Sequence, residues 1–155
     1  MIVQKQNRSH AVMAQRVEAR KSFDNFPTPP WATRALLEHV LNDHNLSEQS
    51  CLEPACGAGH MAKVQEEYFA EVESSDIFGY GFGNKLDFCS GSYGKESFDW
   101  VITNPPFKLA ENFAIEGLKV ARRGVALLTR TVFIESVGRF NRLFSQTPPS
   151  IMAQF

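Results

Sequence analysis

No stretch of this chain approaches the run of about 18 apolar residues that a membrane-spanning helix needs. The opening residues, with Gln4, Lys5, Gln6, Asn7 and Arg8, also lack the apolar core of a secretory signal. Together these absences predict a cytoplasmic chain with no membrane partner. Cysteine is sparse: Cys51, Cys56 and Cys89 are odd in number and form no Cys-x-x-Cys pair. His10, His39, His44 and His60 fall at no ligand-like spacing from them, so reduced thiols and no metal site are expected. Net charge is nearly absent too, at −1 over 155 residues.

That balance conceals a partition. Residues 1–21 carry five Lys/Arg against one Glu, and residues 100–155 carry seven against three Glu. Residues 43–99 hold eleven Asp/Glu against three Lys, so a polyanion is met by the ends and not by the centre. For each charge taken singly, a solvated helix face explains it equally well.

What is present suits one globular domain, with 43% hydrophobic and 21% charged residues. Residues 9–22 read as a polar helix with Ser9 as N-cap and Val12, Met13 and Val17 as its apolar positions, in an N-terminal helical extension over residues 1–24. Within Phe26-Pro27-Thr28-Pro29-Pro30-Trp31, Thr28 is placed to cap a helix running to about Asn42, with Ala35, Leu36, Val40 and Leu41 inward. Residues 50–55 form a brief strand, followed by a glycine turn and a helix from about His60 to Tyr68, the start of a βαβ unit. Residues 70–77 give a second strand. Phe78 to Gly94 is a glycine- and aromatic-rich loop with a short third strand at Leu86-Asp87-Phe88. Phe98 to Thr103 is a fourth strand. A helix from about Leu109 to Arg122 is ended by Gly124, and Val125 to Thr129 reads as a parallel strand buried on both faces. A short helix spans Gly138 to Phe144, and Ile151 to Phe155 has the pattern of a strand just begun.

The fourth strand runs straight into Asn104-Pro105-Pro106-Phe107. Two prolines donate no backbone hydrogen bonds and fix φ near about −65°, so the strand stops and its last carbonyls point outward. An Asn side-chain oxygen beside a Pro carbonyl presents two acceptors on a stiff backbone, which matches the two N–H bonds of an exocyclic amine. Phe107 adds a flat face on which an extruded purine can stack. A plain polyproline-like turn is the competing reading of these four residues.

The glycine turn Cys56-Gly57-Ala58-Gly59 allows close backbone approach to a ligand, with the Glu53 carboxylate near the strand's carboxyl end. Only Gly-x-Gly is present, without the third glycine of a dinucleotide fingerprint, so a ligand bearing a cationic amine suits Glu53 better than a pyrophosphate does. Asp76 lies 23 residues beyond Glu53, at the end of the second strand, where an acid accepts hydrogen bonds from ribose hydroxyls. A solvent-facing turn aspartate is the alternative. Asp87 can accept from an adenine amine and Phe88 can pack on its ring; equally, Phe88 can be core.

In order and spacing, Phe26 to Pro29, Glu53-Pro54-Ala55-Cys56-Gly57-Ala58-Gly59, Asp76, Asp87-Phe88 and Asn104 to Phe107 resemble the amino-methylating S-adenosylmethionine-dependent methyltransferases. Within these, the chain is most similar to DNA adenine-N6 methyltransferases of the small prophage type, and the resemblance covers about residues 25–155. It implies an α/β fold: a doubly wound, Rossmann-like class I methyltransferase sheet, mostly parallel, lacking the family's last two strands and so C-terminally incomplete. It implies S-adenosylmethionine as cofactor, with Pro27, Thr28 and Pro29 covering the methionine end, Glu53 on the methionine amino side and Ala55, Cys56, Gly57 and Gly59 as the turn beneath. Asp76 and Ile77 would lie at the ribose, Asp87 and Phe88 by the adenine, and Asn104 beside both cofactor and target. Catalysis would come from Asn104, Pro105, Pro106 and Phe107 through positioning and acceptor electrostatics, the methyl passing in line from sulfonium to amine. The implied partner is nucleic acid, DNA ahead of RNA. An exposed sheet edge would invite pairing with a second copy.

Two other functions remain open at this stage. One is a protein glutamine-N5 methyltransferase, although such relatives tend to have Tyr where this chain has Phe107. The other is an inactive cofactor-binding fragment.

Overall fold

A computed structural model describes residues 26–154; the helix expected over 9–22 lies outside them. Five parallel strands make one sheet in the order β3-β2-β1-β4-β5: β1 Ser50–Glu53, β2 Glu71–Asp76, β3 Asn84–Lys85, β4 Phe98–Thr103 and β5 Ala121–Leu127. Because all pairs are parallel, every strand delivers its last residue to one edge. The sheet order reverses at β1/β4, and that is where a doubly wound sheet opens a crevice.

Alternation along the central strands divides the core. Cys51, Trp100 and Ile102 pack on one face with Leu37 and Leu41, beneath α1 (Pro30–His39) and α2 (Ala62–Gln65). Leu52 and Val101 pack on the other with Phe88, Phe113 and Val120, beneath α3 (Ala110–Val120). Residues one apart in a strand face opposite sides, so the same short strands serve two helical layers with different residues.

Several local expectations give way. Pro29, not Thr28, is the N-cap of α1, no side chain caps it, and the helix ends at His39 rather than near Asn42. Its buried positions are Thr33 and Leu37, with Leu41 just beyond, while Ala35, Leu36 and Val40 are half-buried. Thr28 is drawn away by a bond to the β4 corner described below. The helix after the glycine turn is shorter than expected, Ala62–Gln65, with single turns on either side. The third strand is Asn84–Lys85, earlier than Leu86 to Phe88, and Phe88 opens a 3-10 turn, Phe88–Ser90, in which the Asp87 side chain accepts from the Cys89 N–H.

The largest revision is at β5. Gly124 does not end α3; it lies inside β5, which begins at Ala121 directly after the helix. A Cβ at Gly124 would come within 2.5 Å of the Trp100 ring, so the glycine is there because the indole crosses the neighbouring strand. The register shifts between the Phe98↔Ala121 and Trp100↔Gly124 pairs. Between those pairs two residues of β5, Arg122 and Arg123, face one of β4, Asp99, a bulge that turns both arginines onto that carboxylate. Ala121 and Gly124 to Leu127 are half-buried rather than fully buried, because no further strand pairs with β5 among the described residues. Beyond it come a 3-10 turn Thr131–Ile134, the single helical turn α4 (Val137–Arg139) and a π turn Phe140–Phe144. Arg142 makes a bidentate pair with Glu111 in the first turn of α3 and so ties this segment down. Ile151 to Gln154 are exposed and form no strand.

Candidate cofactor cleft and substrate corner

Two adjoining clefts open along the carboxyl edge where β1 and β4 diverge. The smaller, about 250 Å³, is lined by Pro27, Thr28, Glu53, Ala55, Cys56, Ala58, His60, Met61 and Asn104. The larger, about 550 Å³, includes Phe26, Ala55, Asp76, Ile77, Asp87, Phe88, Asn104 and Pro106 along its wall. Ala55 and Asn104 belong to both. Many of the residues singled out in the sequence therefore meet at one edge, although they span 78 positions from Phe26 to Asn104, whereas Pro29, Gly57, Gly59, Pro105 and Phe107 line neither cleft.

Asn104 Nδ2 donates to the Phe26 carbonyl and to the Thr28 hydroxyl, each at 3.0 Å. Both amide hydrogens are thereby used, and the amide can be oriented in only one sense, with Oδ1 as the remaining acceptor. This bond is the reason Thr28, 5% exposed, does not cap α1. Pro105 is buried and Phe107 is partly exposed. The Phe107 ring stacks with Phe26 at 5.8 Å between centroids and 17° between planes.

Glu53 is 1% exposed. Its Oε1 accepts from the Thr103 hydroxyl at 2.7 Å, while Oε2 is buried with no hydrogen-bond partner among the described residues. Burial pushes its carboxyl up to about 8 and nearby Asp76 adds to this, against the Thr103 bond and the backbone N–H groups of Ala55 and Asn104. A buried carboxylate with one satisfied and one orphaned oxygen, on the wall of a cleft, fits an ammonium group.

Asp76 is buried and holds two backbone N–H groups, Gly57 to Oδ2 at 3.0 Å and Phe78 to Oδ1 at 2.9 Å. It thus ties the end of β2 to the glycine turn, where Gly57 and Gly59 both have positive φ. The space at Gly59 is taken by Phe82: a Cβ there would come within 2.6 Å of that ring. The glycine answers the aromatic loop rather than a direct approach of ligand. Burial, then Glu53 and Asp76, push the Cys56 thiol up to about 12, so it has no nucleophilic character near neutrality. Asp87 spends Oδ1 on the Cys89 N–H. Phe88 is 2% exposed, set in the core against Phe113 at 5.2 Å, and also lines the larger cleft.

Sequence reasoning missed Phe78, Tyr80, Leu109 and Phe113 of the larger cleft, and His60 and Met61 of the smaller. The aromatics of the 78–83 loop carried a signal, since glycines alternating with rings in a long loop rarely serve packing alone. His60 and Met61 carried none.

This is the fold of the class I methyltransferases: five parallel strands in the order 3-2-1-4-5, helices on both faces and a crevice at the carboxyl edge. A putative RNA methyltransferase from Pyrococcus horikoshii superposes with a TM-score of 0.64 at 17% identity, over 88% of this chain and 79% of that one. A tRNA methyltransferase from Aquifex aeolicus gives 0.56 at 15% identity, over 83% and 56%. A putative S-adenosyl-L-methionine-dependent methyltransferase from Methanococcus maripaludis gives 0.52 at 7% identity, over 77% and 64%. No protein-family model and no curated protein matches the chain. Among the described residues no helix is long and apolar enough to cross a membrane, and no three His, Cys, Asp or Glu are grouped to hold a metal ion.

Proposed function

We propose that this protein is a methyltransferase that uses S-adenosylmethionine to methylate the exocyclic N6 amine of adenine in nucleic acid, with DNA as the first substrate to test. The observation that carries the reading is the double anchoring of the Asn104 amide, which leaves Oδ1 as an acceptor at the junction of the two clefts.

Glu53 Oε2 holds the cofactor's ammonium in the smaller cleft, and the Asp76 carboxylate faces the ribose from the larger one. Bound there, the cofactor supplies an electrophilic methyl group on a sulfonium. The chain's part is orientation. Asn104 Oδ1 and the Pro105 carbonyl accept the two N–H bonds of the target amine, drawing its nitrogen towards sp³ geometry and freeing the lone pair. No strong base is needed, because the amine loses its proton only after it has become cationic. The Phe26–Phe107 stack marks a place where a flat ring is already accepted beside that corner.

Incubation of the purified chain with methyl-labelled cofactor and, separately, unmethylated DNA, RNA and a glutamine-bearing peptide tests this. Label recovered as N6-methyladenine supports it. Label on the peptide alone would replace it with glutamine methylation, and cofactor binding without transfer to any polymer would leave an inactive cofactor-binding protein. RNA is the second reading, because structures of this fold include a tRNA methyltransferase and a putative RNA methyltransferase.

A further inference from the structure

The described residues contain eleven Lys and Arg. Seven of them pair with a carboxylate: Arg34, Lys95, Lys119, Arg122, Arg123, Arg139 and Arg142. The other four are Lys63, Lys85, Lys108 and Arg130, and all four lie at the carboxyl edge of the sheet. Lys85 ends β3 and pairs in register with Asp76. Lys108 follows the Asn104 to Phe107 corner and is exposed. Arg130 is exposed three residues past the end of β5, whose next residue, Leu128, donates its N–H to the Thr103 carbonyl. Lys63 stands 5.3 Å over the Phe82 ring, one turn after Gly59.

At the opposite edge the charges are matched. Lys95 pairs with Glu96 ahead of β4, Lys119 with Glu116 at the end of α3, and Asp99 near the start of β4 takes up both Arg122 and Arg123. Within the carboxyl edge a second division appears. The acids Glu53, Asp76 and Asp87 line the clefts, whereas the unpaired cations stand outside the lining on the rim. Exposed Glu135, in the segment after Arg130, is the acidic exception on that side. Phe26, the first described residue, lines the larger cleft.

An acidic floor suits a cationic amine and ribose hydroxyls. A rim of cations without carboxylate partners among the described residues suits a chain of phosphates. We propose that the nucleic-acid strand crosses the carboxyl edge over the corner, with Lys108 and Arg130 holding the phosphates on either side of the target nucleotide and Lys85 engaging the strand further along. This rests on the nucleic-acid reading above and adds the residues that hold the polymer.

The test is fluorescence anisotropy of a labelled adenine-containing 20-mer, as DNA and as RNA, titrated with the full chain at several salt concentrations. Lys108→Glu with Arg130→Glu weakens binding by about 10- to 100-fold near 0.1 M salt and lowers the slope of log Kd against log salt by about 2, one per lost phosphate contact. Lys95→Glu, at the opposite edge, changes neither. Cofactor affinity by calorimetry stays at the wild-type value in all variants, which certifies the fold and the cleft separately. Unchanged oligonucleotide binding in the double variant, with wild-type binding measurable, overturns the rim assignment and leaves the methyltransferase reading standing. A wild-type chain that binds cofactor but neither oligonucleotide overturns the nucleic-acid reading itself.

Discussion

Two acids at opposite edges of one sheet have opposite fates. Asp99, near the start of β4, accepts from Arg122 and from the Ser50 backbone N–H at 2.9 Å, and these bonds hold its carboxyl well below the usual range, with Arg123 beside it. Glu53, at the end of β1, keeps one oxygen orphaned, and its carboxyl is pushed up to about 8. The strand starts are stitched together by charge; the strand ends are left with unfinished polar groups. A fold can tolerate the second arrangement where a ligand completes it, so the contrast separates groups that hold the sheet from groups that wait for a partner.

The sharpest way to break this contrast is at the corner itself. Asn104→Ala should lower methyl transfer by at least about a hundredfold, with cofactor affinity within a fewfold, as measured by steady-state kinetics beside calorimetry. Equal losses in both would make Asn104 a structural tether between β4 and the Phe26 to Thr28 segment.

Exchanging the two acids comes next. Glu53→Gln should weaken cofactor binding by about 10-fold or more, since a neutral amide replaces the carboxylate proposed to hold the cofactor's ammonium. Asp99→Asn should leave that affinity alone and cost about 1–2 kcal/mol in chemical denaturation. The same outcome from both variants would erase the distinction between the edges.

The smallest effect is a pH dependence. The Glu53 carboxyl moves from an ordinary value of 4.5 to about 8 on folding, so the folded chain holds a proton that the unfolded chain releases. Its contribution to stability is complete below about 4.5 and is lost as pH rises through about 8. Thermal melts of the ligand-free protein should decline over that window, and Glu53→Gln should flatten the decline. Cofactor binding at neutral pH should release a proton, read from calorimetry in buffers of different ionisation enthalpy.

Much of the fold was legible in the chain. The strand runs at Ser50, Glu71 and Phe98 and the punctuation by Gly57, Gly59, Pro105 and Pro106 are local signals, and local signals are what periodicity detects. Gly124 was misleading, because a glycine after a helix reads as a stop unless one knows that the Trp100 ring lies across the next strand. Thr28 misled in the same way. Its place before two prolines is a capping pattern, and only the approach of Asn104, 76 positions away, reassigns its hydroxyl.

The amino-acid sequence by itself determined the order of strands and helices, the stiff Asn104-Pro105-Pro106 corner and the presence of acids at the ends of β1 and β2. Tertiary structure alone decided which oxygen of Glu53 goes unpaired, which way the Asn104 amide points and which cations lack a carboxylate. Those are properties of pairs of residues distant in the chain, and burial and hydrogen bonding between such pairs exist only once the sheet has closed.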